Sequence, residues 1–121
     1  DIGKPEILEA LRAIAPLTVV RGNNDQDDSW AGDVPFSARL DVEGVSIYVT
    51  HILADVPKPL PDGVHVVIVG HSHKPLIQQI DGVLYINPGS AGPRRFKLPI
   101  SVALLHIDEQ GLRAELVELA V

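Results

Sequence analysis

The run Val64–Pro75, VHVVIVGHSHKP, constrains the fold of this chain more than any other stretch. Val64, Val66, Val67, Ile68 and Val69 are almost continuously apolar and end at Gly70. A strand buried on both faces of a sheet reads this way, because neither side of its pleat meets water. His71 and His73 follow at once, placed on a turn beyond the strand. Loops at strand ends are where a rigid sheet presents chemistry to solvent, and imidazole is the commonest protein metal ligand. A lone His-x-His more often just closes a strand. The rest of the chain decides which reading holds here.

The 121 residues, 45% of them hydrophobic, amount to one domain (1–121) with enough apolar side chains for a core. Aromatic residues are only 4%, so that core is aliphatic. A net charge of −6 argues against general nucleic-acid binding, which needs a basic surface. It leaves room for a small phosphorylated substrate, since local cations or metal ions override a distant net charge. With no cysteine, disulfides and thiolate sites are impossible. Any metal must sit on His, Asn, Asp or Glu, which suits Mn, Fe, Ni or Zn better than a structural zinc knuckle. No apolar run approaches the ~20 residues that span a bilayer, so no membrane role and a cytoplasmic location are expected. The chain has no methionine, and Asp1 is therefore expected not to be a natural start. Any targeting signal would be lost with what preceded it.

In chain order, Pro5–Ile14 reads as a helix, with Pro5 in its first turn and Ile7, Leu8, Leu11 and Ile14 on one face. Ala15-Pro16 stops it. Leu17–Val20 is a short apolar strand leading into Arg21-Gly22-Asn23-Asn24-Asp25, and the acidic stretch Gln26–Pro35 is an exposed loop. Ser37–Val42 and Val45–His51 form a hairpin around Glu43-Gly44. Three prolines make Leu53–Gly63 an irregular connection. Leu76–Ile80 and Val83–Ile86 form a second hairpin around Asp81-Gly82. After the Gly-, Pro- and Arg-containing loop Asn87–Lys97, a last hairpin joins Ile100–Ile107 to Leu112–Leu119. This is an α/β chain in which Asn23-Asn24-Asp25, His51 and His71/His73 each follow a strand. Strand ends gathered on one sheet edge form the usual ligand crevice.

The ordered set Gly22-Asn23-Asn24-Asp25, Thr50-His51, Gly70-His71-Ser72-His73 and Asn87-Pro88-Gly89-Ser90 resembles the calcineurin-like metallophosphoesterase superfamily. It is most similar to the small prokaryotic YfcE-type phosphodiesterases. The family's Asp-x-His block is absent, and Asp1-Ile2 matches the end of its Gly-Asp block, as in an N-terminally truncated member. The resemblance implies part of a four-layer αββα sandwich, the metallo-dependent phosphatase fold, lacking its first strand and Asp-x-His loop. Loss of that strand would expose apolar surface and an unpaired edge, for which a second copy, a swapped segment or the missing beginning would compensate.

The resemblance further implies two divalent ions, Mn foremost, with Ni, Zn or Fe as alternatives. One would be held by Asp1, Asn23, His51 and His71, the other by Asp1, His73 and the absent pair. Two ions ~3.5–4 Å apart share a bridging hydroxide and clamp the attacking and leaving oxygens of an in-line displacement at phosphorus. The implied reaction is hydrolysis of a small phosphodiester, although a chain without the Asp-x-His pair would bind one ion and be inert if both ions are needed. Many relatives carry His where Asn24 stands, and an amide is no general acid near neutral pH. Good leaving groups, or protonation by solvent, are then favoured. Asp25 is expected to orient a histidine rather than bind metal.

Arg94 and Arg95 either grip phosphate through paired hydrogen bonds or form a solvated loop end. Lys74, beside the ligands, adds a favourable field for anions. His65 and His106, inside strands, are structural or surface residues, and Asn87–Ser90 is a shaping loop. The competing class is a protein-binding scaffold, since the retromer cargo-sorting subunit resembles the same family with an altered site. Presence of Asn23, His51, His71 and His73 favours the enzyme.

Overall fold

The computed structural model describes residues 1–25, 29–95 and 97–120. Its elements are helix α1 (Pro5–Arg12) and strands β1 (Ser37–Val42), β2 (Val45–Thr50), β3 (Val66–Ile68), β4 (Leu76–Ile80), β5 (Val83–Asn87), β6 (Ser101–Asp108) and β7 (Gly111–Glu118). Two of the turns are each dictated by a pair of residues. Glu43-Gly44 and Asp81-Gly82 all take positive φ, 51° and 80°, then 51° and 79°. Such paired left-handed turns match the twist of the strands they join, so β1–β2 and β4–β5 close as tight hairpins.

The five-stranded sheet has the order β1-β2-β3-β5-β4, with β2, β3 and β5 parallel and both edges antiparallel. Register puts Ile47, Val66 and Leu84 in one row and Val49, Ile68 and Ile86 in another, all on one face. That face packs on the β6–β7 ribbon through Ala103, Leu105, Leu112 and Ala114. The opposite face carries Tyr48, Val67 and Tyr85, covered by Val56, Leu60 and Val64 from the proline-rich connection. Val66 and Val67 are wholly buried, one on each side. Each such side chain contributes roughly 1.5–3 kcal/mol. The result is a mixed α/β fold with a central sheet, two sheets face to face.

Three expectations need correction. The helix ends at Arg12, two residues early, and only Leu8 of its apolar face is buried; Ile14 is 81% exposed. Leu17–Val20 forms no strand: β3 already has a neighbour on each side, and no ladder among the described residues includes 17–20. Just after it, Arg21 N–H donates to Pro35 C=O at 2.7 Å. The stretch expected as an exposed loop instead makes a 3₁₀ turn at Ser29–Asp33 with Ala31 and Val34 buried; residues 26–28 lie outside the described residues. In addition, the layer outside the five-stranded sheet is the irregular connection, with one 3₁₀ turn at Leu53–Asp55, rather than an α-helix. Pro57, Pro59 and Pro61 lack the N–H groups that helical bonding would use.

Candidate metal centre

Because β2, β3 and β5 run parallel, their C-terminal ends leave the sheet at one edge. His51 follows β2, His71 and His73 follow β3, and Asn87 closes β5. Gly70 N–H donates to His51 C=O at 2.9 Å, joining the first two exits. The Asn87 side-chain amide donates to Gly70 C=O at 3.2 Å and to Ser72 Oγ at 3.0 Å, joining the third. Ser72 Oγ in turn accepts Lys74 N–H at 3.2 Å. This bracing holds His71 at φ 70° and His73 at φ 63°. Left-handed backbone costs a non-glycine residue about 1–2 kcal/mol, and such strain clusters at functional sites.

Asn23 enters from a 3₁₀ turn, Asn23–Asp25. Its Oδ1 lies 2.9 Å from Nε2 of His51 and 3.1 Å from Nδ1 of His71. The two rings meet edge-on, centroids 5.2 Å apart. Asp1 Oδ2 stands 3.5 Å from the same Nε2 of His51. Burial, reinforced by the neighbouring His71, pushes the His51 pKa down to about 4. The ring is therefore neutral near pH 7, the form that offers a lone pair to an ion.

Asp1 is itself clamped. Asn24 N–H donates to Oδ1 at 2.8 Å and the Asn24 side-chain amide donates to Oδ2 at 3.1 Å. Gly22 lies so close that a Cβ there would run into Asp1. The glycine before Asn23 is thus required by space.

Asp25 departs from expectation. It is wholly buried, and its oxygens accept N–H from Ile2 at 2.8 Å, Gly3 at 3.0 Å and Gly22 at 3.0 Å. It staples the start of the chain to the Gly22 turn and orients no histidine. Burial alone would raise its pKa, but the three donors outweigh burial and hold it below the ordinary carboxylate value.

Ions about 2.1 Å from their ligands place neighbouring ligand atoms about 3.0 Å apart in an octahedron and about 3.4 Å apart in a tetrahedron. The separations of 2.9, 3.1 and 3.5 Å around Asn23 and His51 fit such edges. Among the described residues no three His, Asp or Glu groups close into a cage unaided; the Asn23 amide oxygen links the histidines. His73 lies outside this hydrogen-bonded set, and its Nδ1 is buried without a partner among the described residues. A buried polar atom left unpaired costs about 1–3 kcal/mol, so that ring nitrogen suits an ion.

Arg94 is exposed and donates within its own loop, to Leu98 C=O at 3.4 Å; Arg95 beside it is also exposed. His65 Nδ1 accepts Ser46 N–H at 2.9 Å, and His106 meets Glu115 at 2.8 Å, so both serve the sheets. Arg21 was not among the expected site residues. Its guanidinium stacks 4.1 Å over Phe36 and donates to Val34 C=O at 2.9 Å. It borders a cavity of about 110 Å³ together with Asn23, His51 and Asp55. Its place directly before Gly22-Asn23 was the available signal.

The family description "calcineurin-like phosphoesterase superfamily domain" matches residues 1–110. A probable metallophosphoesterase of Methanothermobacter thermautotrophicus is 31% identical over 125 residues, covering 97% of this chain and 71% of that protein. Entamoeba histolytica Vps29 in complex with Zn²⁺ superposes with a TM-score of 0.69 at 22% identity, over 97% of this chain and 77% of that one. An archaeal phosphodiesterase superposes with a TM-score of 0.67 at 19% identity, over 97% and 79%. Family and fold agree with the ordered motifs, and the chain belongs to the calcineurin-like phosphoesterase superfamily.

Proposed function

We propose that residues 1–121 carry part of the site of a divalent-metal-dependent phosphodiesterase for a small-molecule substrate, the family's Asp-x-His pair being absent from them. Asp1, Asn23, His51 and His71 would hold one ion, and Asp1 with His73 would supply part of the ligands of a second, whose Asp-x-His pair lies outside this sequence. The reading is carried by Asn23 Oδ1, placed 2.9 Å from His51 and 3.1 Å from His71 at coordination-edge spacing. Mn²⁺ is the first choice of ion, then Ni²⁺, Zn²⁺ or Fe²⁺, all compatible with imidazole, amide and carboxylate donors. Bound there, divalent ions supply Lewis acidity at the phosphoryl oxygens and make a water acidic enough to attack near neutral pH.

The chain's own residues do the rest. Asn24 fixes both oxygens of Asp1, so the carboxylate is presented in one orientation. His51 stays neutral, and Asn87 with Ser72 sets the His71–His73 turn. Asn24 neither gives nor takes a proton near neutral pH, so a leaving alcohol departs unaided or with a proton from solvent. That favours diesters of acidic alcohols. The retained donor set favours this enzyme over a protein-binding scaffold on the same fold.

The test is hydrolysis of bis-p-nitrophenyl phosphate with Mn²⁺ by the natural protein at its full encoded length. Turnover is expected to vanish on chelation and in His73→Ala. No turnover with any of Mn²⁺, Ni²⁺, Zn²⁺ or Fe²⁺ would overturn the reading and leave the scaffold.

A further inference from the structure

An open groove lies between the proline-rich connection after His51 and the β4–β5 hairpin, with a cavity volume of about 1080 Å³. His71, Ser72 and Lys74 line it, so it is continuous with the candidate metal centre. Strand β4 runs along it from Leu76, opposite Asn87 in the sheet, to Ile80, opposite Val83. At ~3.3 Å per residue that is roughly 13 Å. Away from the histidine the walls are mostly apolar, with Leu53, Leu76, Ile80 and Tyr85 among them, and the polar Lys58, Gln78 and Asp81 interrupt them.

Leu53, Leu76 and Ile80 are 57%, 53% and 42% exposed, so three large side chains face water along one channel. A monomer rarely leaves apolar surface contiguous without a use for it, and concave apolar walls with a few polar groups at one end describe a ligand site. Lys74, one residue after His73, borders the groove at the histidine end and adds a cation there. An anion held at His71 and a large apolar body laid along β4 fit this arrangement; a small alkyl group would leave most of the channel wet.

We infer that the groove takes the ester group that stays on phosphorus, and that the substrate is a phosphodiester whose retained alcohol is bulky, apolar and ring-bearing. This rests on the phosphodiesterase reading above. The phosphate sits at the histidines and the ring covers Leu53 and Leu76. Specificity then comes from the groove, while the donor cluster treats all diesters alike.

Two measurements on the natural full-length protein test it. With Mn²⁺, phenyl p-nitrophenyl phosphate is compared with methyl p-nitrophenyl phosphate, which shares its leaving group. Burial of the ring predicts a preference in kcat/KM of at least about tenfold, expressed in KM and falling towards parity in the Leu53→Gln/Leu76→Gln variant. Both positions are exposed, so the variant is expected to fold. Separately, calorimetry on chelated protein compares diphenyl phosphate with dimethyl phosphate; only the former should bind, and the double variant should lose it. Binding without turnover of either ester would support the groove and sink the phosphodiesterase reading. Equal kinetics for the two esters, or equal binding of the two phosphates, would overturn the groove proposal. So would a groove already filled by a second copy or by chain outside residues 1–121, seen as failure of diphenyl phosphate to bind.

Discussion

Asn24 grips Asp1 at both carboxylate oxygens, through its backbone N–H at 2.8 Å and its side-chain amide at 3.1 Å. This makes Asn24 a positioning residue. Groups that orient a metal ligand are commonly worth 10–100-fold in affinity or activity, so Asn24→Ala is expected to weaken Mn²⁺ binding by about that much. Asn24→Asp should do worse, since it puts a second negative charge against Asp1. Calorimetric Mn²⁺ titration of both variants checks this, and wild-type affinity in Asn24→Ala would refute it.

Asp25 is predicted to matter for stability. Asn at this position turns an NH₂ group towards backbone N–H donors that now have an acceptor, and removes the charge. Loss of a buried, hydrogen-bonded carboxylate should cost about 3 kcal/mol in urea unfolding. The pH dependence follows from its lowered pKa. The native state holds the proton less tightly than the unfolded chain, so this contribution is full above the usual value of 3.8 and is lost as pH falls below it. The Asp25→Asn variant should lack that acid limb.

His51 sets a second pH window. Its pKa is about 4 in the folded chain against 6.5 unfolded, so the unfolded chain takes up the proton first. Metal-free protein should therefore keep this stability above pH 6.5 and lose it progressively as pH drops to about 4. His51→Gln should flatten that segment of the unfolding-midpoint curve. A profile unchanged by the substitution would contradict the assignment.

Gly89→Ala is expected to be disproportionately harmful. Gly89 has φ 84°, and a Cβ there would collide with Ser101 Oγ and crowd the Pro75 ring. Ser101 Oγ also donates to Pro88 C=O at 2.7 Å, so it cannot move freely. Left-handed strain plus overpacking should cost about 2–4 kcal/mol in thermal or urea unfolding. Mn²⁺ affinity should fall too, because Asn87 two residues earlier braces the histidine turn.

Binding of ions to the native state only should raise the unfolding midpoint. At a Mn²⁺ concentration 100 times the dissociation constant the gain is about 2.7 kcal/mol. A chelator should abolish it in the wild type and change nothing in His71→Ala. Equal midpoints with and without Mn²⁺ would argue against any ion at this cluster.

Much of this protein was readable from its residues because the relevant signals are local. Glu43-Gly44 and Asp81-Gly82 specify hairpin turns through their own backbone preferences, and alternation along Val45–Thr50 names the faces of β2. Asn23, His51 and His71 each sit just beyond an apolar run, and the fold brings these three into hydrogen-bond contact, whereas His73 stands outside that set. Only the tertiary structure decided what depends on residues distant in sequence. Leu17–Val20 has strand-like composition yet pairs with nothing among the described residues, since a strand needs a neighbour that composition cannot supply. Asp25 reads as a site carboxylate, but the N–H groups it satisfies arrive from Ile2 and Gly3, 23 and 22 residues away. The groove beside His71 is equally a product of packing: three prolines keep the connection irregular, and space opens between it and β4. Local backbone preference is written in neighbouring residues, whereas a partner for a strand, a carboxylate or a cavity wall exists only once the chain has folded.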